Sequence, residues 1–321
     1  MHRRLTGIAL SLFASLALAA PAGAATLFDY PDFSNTAGLT LNGSAAQTGN
    51  VLRLTPPEGN KAGSAFGTAP IDPQQTWQTQ FQLHMHDETF VPGDPADGIA
   101  FVIQSEGLGG GSGLGGSLGY GNVKPSVAVE FDIFYNEVGG DPVGDHVSIL
   151  SEGDTTKHLQ CASEGAPNGP CTAALPFPIY GSPVHAWVEY DATTQRLKVF
   201  LGQTASKPAA PLLDHQISFA PVGSSAYAGF TAATGAHNAT QDVLSWQFGR
   251  PDPATVPAPA AGPVKKKGKR CGKKAKGKGK KASGKKAGAS KAKGKAKGKG
   301  KKPKCGKKKG KAKAKGKKSK N

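Results

Sequence analysis

Two carboxylates, a phenylalanine and an asparagine occupy alternate positions at Glu130, Asp132, Phe134 and Asn136. If residues 127–136 form one extended strand, all four lie on the same face. Neither solvent nor an apolar core calls for two carboxylates and an amide in such a row. A hard cation does, because it needs several oxygen ligands converging on one point. Asp141 follows five residues after Asn136 and can curl back over that point. His146 adds a nitrogen, which calcium disfavours and a transition metal accepts. Two adjacent ions satisfy the set economically. Asp132 and Asp141 would bridge them, Glu130 and His146 would complete a transition-metal site, and Asn136 with the Phe134 carbonyl would complete a calcium site. The plain alternative is an acidic strand and turn on a solvated surface.

Strands are the elements expected to carry these residues. Residues 77–86 alternate apolar or small side chains with Gln and His, as a half-buried strand does. Residues 51–55, 99–103, 186–190, 197–201 and 243–248 read similarly, and residues 191–196 offer a hairpin connection between two of them. About ten such strands, broken by Gly, Pro, Asn and Asp and without a convincing amphipathic helix, predict an all-β jelly-roll sandwich over residues 25–250. Residues 107–119 are dense in glycine. A phosphate cradle would need a following helix opening on Lys-Ser/Thr, which is lacking, so most of this run is expected to be flexible loop.

The pattern Glu-x-Asp-x-Phe-x-Asn-x4-Asp-Pro-x3-His, from Glu130 to His146, resembles the double metal loop of legume-type (L-type) lectins. Family-like landmarks recur in order around it, at residues 63–66, 96–103, 115–119, 185–191 and 229–235. The resemblance implies a concanavalin-like sandwich. It also implies calcium and manganese, or another transition metal, beside a shallow sugar pocket, with a carbohydrate or glycoconjugate as partner. Asp97 matches the family's sugar-binding aspartate, and Ala96–Asp97 the peptide that is cis in the family. Gly116 matches a backbone donor to a sugar hydroxyl. Asn136 would serve both calcium and sugar, and Phe134 would lend its carbonyl to calcium and its ring to the sugar face. Ala236 and His237 fall where family members vary to choose their sugar. Against these roles stand plainer ones: Asp97 as a turn residue before Gly98, and Phe134 as core with Tyr135 as the exposed ring. Gly139 and Gly140 depart from the bulky residue often found before Asp141, which predicts a looser loop and weaker metal binding. Sandwiches of this kind pair in several ways through their back sheets, so the resemblance is compatible with a homo-oligomer without fixing the oligomeric state.

An enzymatic reading fails on one position. Glycoside hydrolases of the same sandwich use Glu-x-Asp-x-x-Glu, in which paired carboxylates ~5–5.5 Å apart act as nucleophile and acid. Here Tyr135 stands in the place of the second Glu, so no catalytic residue is assigned.

The remaining features concern location and charge. Residues 1–24 combine basic, apolar and small-residue segments, as a secretory signal does, which predicts a secreted protein, in extracellular space or at a cell surface. That compartment permits a disulfide between Cys161 and Cys171 across a turn-rich loop. Residues 251–263 form a Pro/Ala-rich linker of extended character. Of the 40 Lys and Arg residues, 30 follow Val264, where there is no Asp or Glu. The preceding part therefore holds 10 basic and 22 acidic residues, a net of −12. Residues 264–321, rich in Lys, Gly and Ala, lack an apolar complement and are expected to be disordered. Such a tail binds anionic polymers or surfaces by counterion release. A polyanion-binding adhesive protein with a structural lectin fold is accordingly the alternative function.

Overall fold

The structure, a computed structural model, describes residues 25–165, 171 and 173–250. The expected signal segment, linker and basic tail lie outside the described residues. Within them, sixteen strands follow one another. The first eight are β1 (Ala25–Tyr30), β2 (Leu39–Gly43), β3 (Ala46–Thr48), β4 (Val51–Thr55), β5 (Ala62–Gly67), β6 (Trp77–His86), β7 (Gly98–Gln104) and β8 (Ser126–Asp132). The others are β9 (His146–Ser151), β10 (Gln160–Ser163), β11 (Ala173–Ala174), β12 (Val184–Asp191), β13 (Arg196–Gly202), β14 (Leu213–Gln216), β15 (Tyr227–Ala233) and β16 (Thr240–Arg250). They form two sheets. The back sheet runs β14-β13-β12-β6-β16-β4-β3, with β1 also on β16, and the front sheet runs β11-β10-β9-β8-β7-β15-β5-β2.

The sheets face each other as a β-sandwich, and period-two patterning decides what lies between them. Along β6, Trp77, Thr79, Phe81, Leu83 and Met85 are buried while the intervening Gln and His residues are not. Phe81 meets Phe101, Phe131 and Phe230 at ring-centroid distances of 5.5, 5.8 and 5.1 Å, joining the back sheet to the front. Burying each such ring stabilises the fold by about 1.5–3 kcal/mol. All three tryptophans sit on the back sheet: Trp77 on β6, Trp187 on β12 and Trp246 on β16.

Strands β7 and β8 are buried at every position, because both faces of the front sheet are covered. Ile99, Phe101, Val129 and Phe131 point into the main core. Ala100, Val102 and Ala128 instead join Leu118, Tyr120 and Val123 in a second cluster outside the front sheet. The glycine-dense segment is therefore not slack over its length. Its C-terminal part forms, with the adjoining Tyr120, a cover in which the Leu118 and Tyr120 side chains are fully buried. The face of β8 that holds Glu130 and Asp132 thus lies beneath protein.

The extended run also ends earlier than the spacing predicts. β8 stops at Asp132, so Phe134 and Asn136 lie in the following loop, with residues 137–139 in a 3-10 turn. The Asp132 carboxylate accepts the Phe134 N–H at 2.7 Å, and the Asp97 carbonyl accepts the Ile133 N–H at 2.9 Å. A short polar side chain that captures a nearby N–H competes with the strand ladder and turns the chain. Elsewhere, a disulfide joins Cys161 on β10 to Cys171. Among the described residues, no helix is long and apolar enough to cross a membrane.

Candidate functional site

The site is built first by register. In the antiparallel pairing of β8 with β9, Asp132 stands opposite His146 and Glu130 opposite Ser148. In the pairing of β7 with β8, Gly98 stands opposite Asp132, which brings the preceding Asp97 to the same end of the sheet. Asp141 returns to this end through the loop, where its carboxylate accepts the Asn136 N–H at 2.9 Å. The residues Glu130, Asp132, Asn136, Asp141 and His146 therefore converge, although only Glu130, Asp132 and His146 are on strands.

The ligand-type atoms cluster tightly. Those of Asp132, Asp141 and His146 lie within 4.8 Å of one another, and so do those of Glu130, His146 and His158. His158 was not anticipated from the spacing. It sits in the connection between β9 and β10, and its Nδ1 lies 3.0 Å from Ser148 Oγ. Tyr120, from the cover, donates its hydroxyl to Glu130 Oε2 at 2.7 Å. The His146 Nδ1 lies 3.3 Å from the Gly144 carbonyl, an arrangement that holds Nδ1 as the donor and leaves Nε2 as the ligand atom once a cation displaces its proton. Glu130 Oε1, His146 Nε2, His158 Nε2 and Asn136 Oδ1 are all buried without a hydrogen-bond partner.

The charges in this cluster perturb one another. Burial pushes Glu130 up, but His146 and His158 outweigh it and hold its carboxyl at about 2. Burial pushes both histidines down, yet the surrounding carboxylates raise each to about 9: Asp132 and Glu130 at His146, Asp141 and Glu130 at His158. Asp132 is raised well above the carboxylate range by burial and by Glu130 and Asp141. Among the described residues, the positive charge set against these carboxylates is that of the protons on His146 and His158. Cations would replace those protons, and the donor set of carboxylates, an amide oxygen and imidazole fits both a hard cation and a transition metal.

Beside this cluster lies a second group of residues. Asp97 is 3 % exposed, follows a cis Ala96–Asp97 peptide, and has its N–H donated to the Ala233 carbonyl at 3.2 Å. The buried Gln241 amide, from β16, donates to the carbonyls of Ala96 and Ala233 at 3.2 and 2.8 Å. Gln241 is another contributor missed in the sequence, where it reads as an ordinary polar residue of a strand. Gly98 is a structural requirement: a Cβ there would meet the Phe131 carbonyl at 2.4 Å. Asp97 Oδ2 is buried and unpartnered, and burial raises its carboxyl to about 7 against the pull of the Gly235 N–H and His237.

The cover approaches from above. A Cβ on Gly116 would lie 2.3 Å from Asn136 Oδ1, and Gly115 packs beside Gly235 and Asp97. The half-buried Phe134 ring lies 5.1 Å from that of His237, which is held by Asp94 at 2.8 Å and flanked by Phe90 at 5.2 Å. Tyr135 is 42 % exposed. Ala236 is exposed next to His237. Close approaches thus link Gly116 to Asn136, Gly115 and Gly235 to Asp97, and Phe134 to His237, with Ala236 exposed beside it.

The legume lectin domain model matches residues 25–262. The chain belongs to the legume lectin family. It is 29% identical over 274 residues to lectin DB58 of Vigna unguiculata subsp. cylindrica, an alignment covering 78% of this chain and 92% of that protein. Favin of Vicia faba is 30% identical over 244 residues, covering 70% and 94%. Among solved structures, the basic winged bean lectin with Tn-antigen superposes with a TM-score of 0.57 at 25% identity, covering 70% of this chain and 98% of that one. The domain is a carbohydrate-binding one and not an enzyme.

Proposed function

We propose that this lectin is secreted and binds sugar through a pocket that depends on two metal ions. One observation carries the reading: buried polar atoms of Asp97, Glu130, Asn136, His146 and His158 that make no hydrogen bond gather at one end of β8 and β9. A polar atom left unpaired in such a place costs roughly 1–3 kcal/mol, so their accumulation favours ligands that complete them. Calcium would be held by Asp132, Asp141, Asn136 Oδ1 and the Phe134 carbonyl. Manganese or another transition metal would be held by Glu130, Asp132, Asp141 and His146. Bound there, the ions supply the positive charge that the carboxylates otherwise draw from protons.

Asp97 would then accept from two sugar hydroxyls, while the Gly116 N–H and the Asn136 amide nitrogen donate to others. The Phe134 ring would cover the apolar C–H face of the sugar, with Ala236 and His237 on the rim choosing among stereoisomers. The test is a glycan array that includes the Tn-antigen, found with the basic winged bean lectin, probed with calcium and manganese present and again after chelation. Binding should vanish on chelation and return on adding metal. Equal binding in both conditions would refute the metal-built pocket.

The 30 basic residues after Val264 favour a second activity alongside the first. The tail would hold the protein on anionic polymers or surfaces by charge, leaving the sandwich free to select sugars.

A further inference from the structure

We infer that His158 is a direct ligand of the transition metal, giving the site two imidazoles where the one-histidine pattern from Glu130 to His146 supplies one. The inference rests on the metal-dependent reading above and adds a residue to it. His158 lies outside that pattern, twelve residues past His146. Its side chain is nevertheless 1 % exposed, between Glu130 and Asp141.

The two ring nitrogens have different surroundings. Nδ1 lies 3.0 Å from Ser148 Oγ and 3.3 Å from Glu130 Oε1. Nε2 lies 3.5 Å from Asp141 Oδ1, without the geometry of a hydrogen bond, and is buried with no partner. A proton on Nδ1, donated to Ser148, leaves the Nε2 lone pair free. Ring orientation fixed by a hydrogen bond from the other nitrogen is the arrangement that metal-binding histidines need. The strand register supports this placement, because Ser148 stands opposite Glu130 and so anchors the ring directly over the carboxylate. The orphaned Glu130 Oε1 and His146 Nε2 are 3.5 Å apart, and both fall in the same cluster as His158. His146 belongs equally to the cluster with Asp132 and Asp141, so the two clusters share this imidazole.

A protonated His158 that merely bridges Glu130 and Asp141 is the competing structural role. It would hold both nitrogens on carboxylates, whereas the Nε2 contact with Asp141, at 3.5 Å, lacks hydrogen-bond geometry and leaves that nitrogen to a metal that displaces the proton. The consequence of ligation is a change of metal preference. Imidazole favours cobalt, nickel and zinc over manganese, so a second imidazole should bias the site toward them.

The deciding experiment loads one equivalent of Co²⁺ into the full chain with calcium present. Cys271 and Cys305 are alkylated, and His84→Gln and His86→Gln remove the other close histidine pair, whose rings are 4.0 Å apart. X-ray absorption at the cobalt edge should count two imidazoles, falling to one in His158→Gln. Calorimetry should show that His158→Gln lowers Co²⁺ affinity roughly 10- to 100-fold, with a smaller loss for Mn²⁺. One imidazole in the parent chain, or an unchanged Co²⁺ to Mn²⁺ affinity ratio in His158→Gln, overturns the assignment while leaving the two-metal reading intact. Failure of the parent chain to take up Co²⁺ or Mn²⁺ overturns both.

Discussion

Gly116→Ala adds one methyl group at the point where the cover meets the acidic loop. The new Cβ would stand 2.3 Å from Asn136 Oδ1 and 3.0 Å from its Cγ. A carbon and an oxygen settle at about 3.3–3.6 Å, so the amide must retreat by about 1 Å. The Asn136 backbone has little room to follow: its N–H is held by Asp141 at 2.9 Å and its carbonyl by the Gly139 N–H at 2.8 Å. The side chain must rotate instead, carrying Oδ1 away from the position assigned to calcium. Calcium–oxygen distances span only about 2.3–2.6 Å, so a shift of this size removes the ligand. Calcium affinity measured by calorimetry should fall roughly 10- to 100-fold, and glycan binding at limiting calcium should fall with it. Gly115→Ala is the control, since its Cβ would meet nothing closer than 3.8 Å although its φ of +60° carries a small backbone penalty. If Gly116→Ala binds calcium within twofold of the parent, Asn136 is not a ligand and the reasoning fails.

Further outcomes follow from the same geometry. Asp97→Ala should abolish glycan binding while calorimetry still registers both metals; a variant that binds glycans as the parent does removes Asp97 from the pocket. In chelator, His146 and His158 titrate near 9, above 6.5, so their stabilisation is complete below pH 6.5 and is lost as pH rises through 9. Asp97, near 7 and above 3.8, loses its contribution as pH rises through 7, whereas Glu130, near 2, loses its own only in strong acid. The chelated chain should therefore melt at progressively lower temperature from pH 5 to pH 9, while the increase in Tm on adding calcium and manganese should grow. A chelated Tm that is flat or rising over that range contradicts this coupling between the carboxylates and the two histidines. Phe230→Ala should cost about 3–5 kcal/mol in urea unfolding, because the fully buried ring bridges Phe81, Phe101 and Trp246. Truncation after Pro263 should abolish a steeply salt-dependent retention on a heparin column without changing the glycan profile; retention that survives truncation places the polyanion site in the sandwich.

The fold was legible wherever burial is one-sided. β6 alternates because one face meets core and the other solvent, and residues 51–55 and 77–86 coincide with β4 and β6. Short strands such as β3, β11 and β14 carry too few residues for a period to show. The site was legible through Glu130, Asp132 and His146, whose placement is strand register. The strand itself ends at Asp132 rather than at residue 136, because an aspartate that captures the next free N–H ends a strand without any Gly or Pro to announce it. His158, Tyr120 and Gln241 reach the site from a loop, the cover and the opposite sheet. Their placement is a matter of tertiary packing, which no spacing along the chain encodes. The one available hint at His158 was an isolated histidine in the connection following a strand that already held His146.

The placement of the three tryptophans gives the protein two independent optical channels. With Trp77, Trp187 and Trp246 all on the back sheet, indole emission reports the packing of the sandwich and should stay constant while ions and sugars come and go at the front. Tyr120 is the reverse case, a phenol fully enclosed against Glu130, whose near-ultraviolet absorbance should shift with each change of charge on that carboxylate. Chelation that alters the tyrosine difference spectrum while leaving tryptophan emission untouched would display, in one cuvette, an emptied site inside an intact fold.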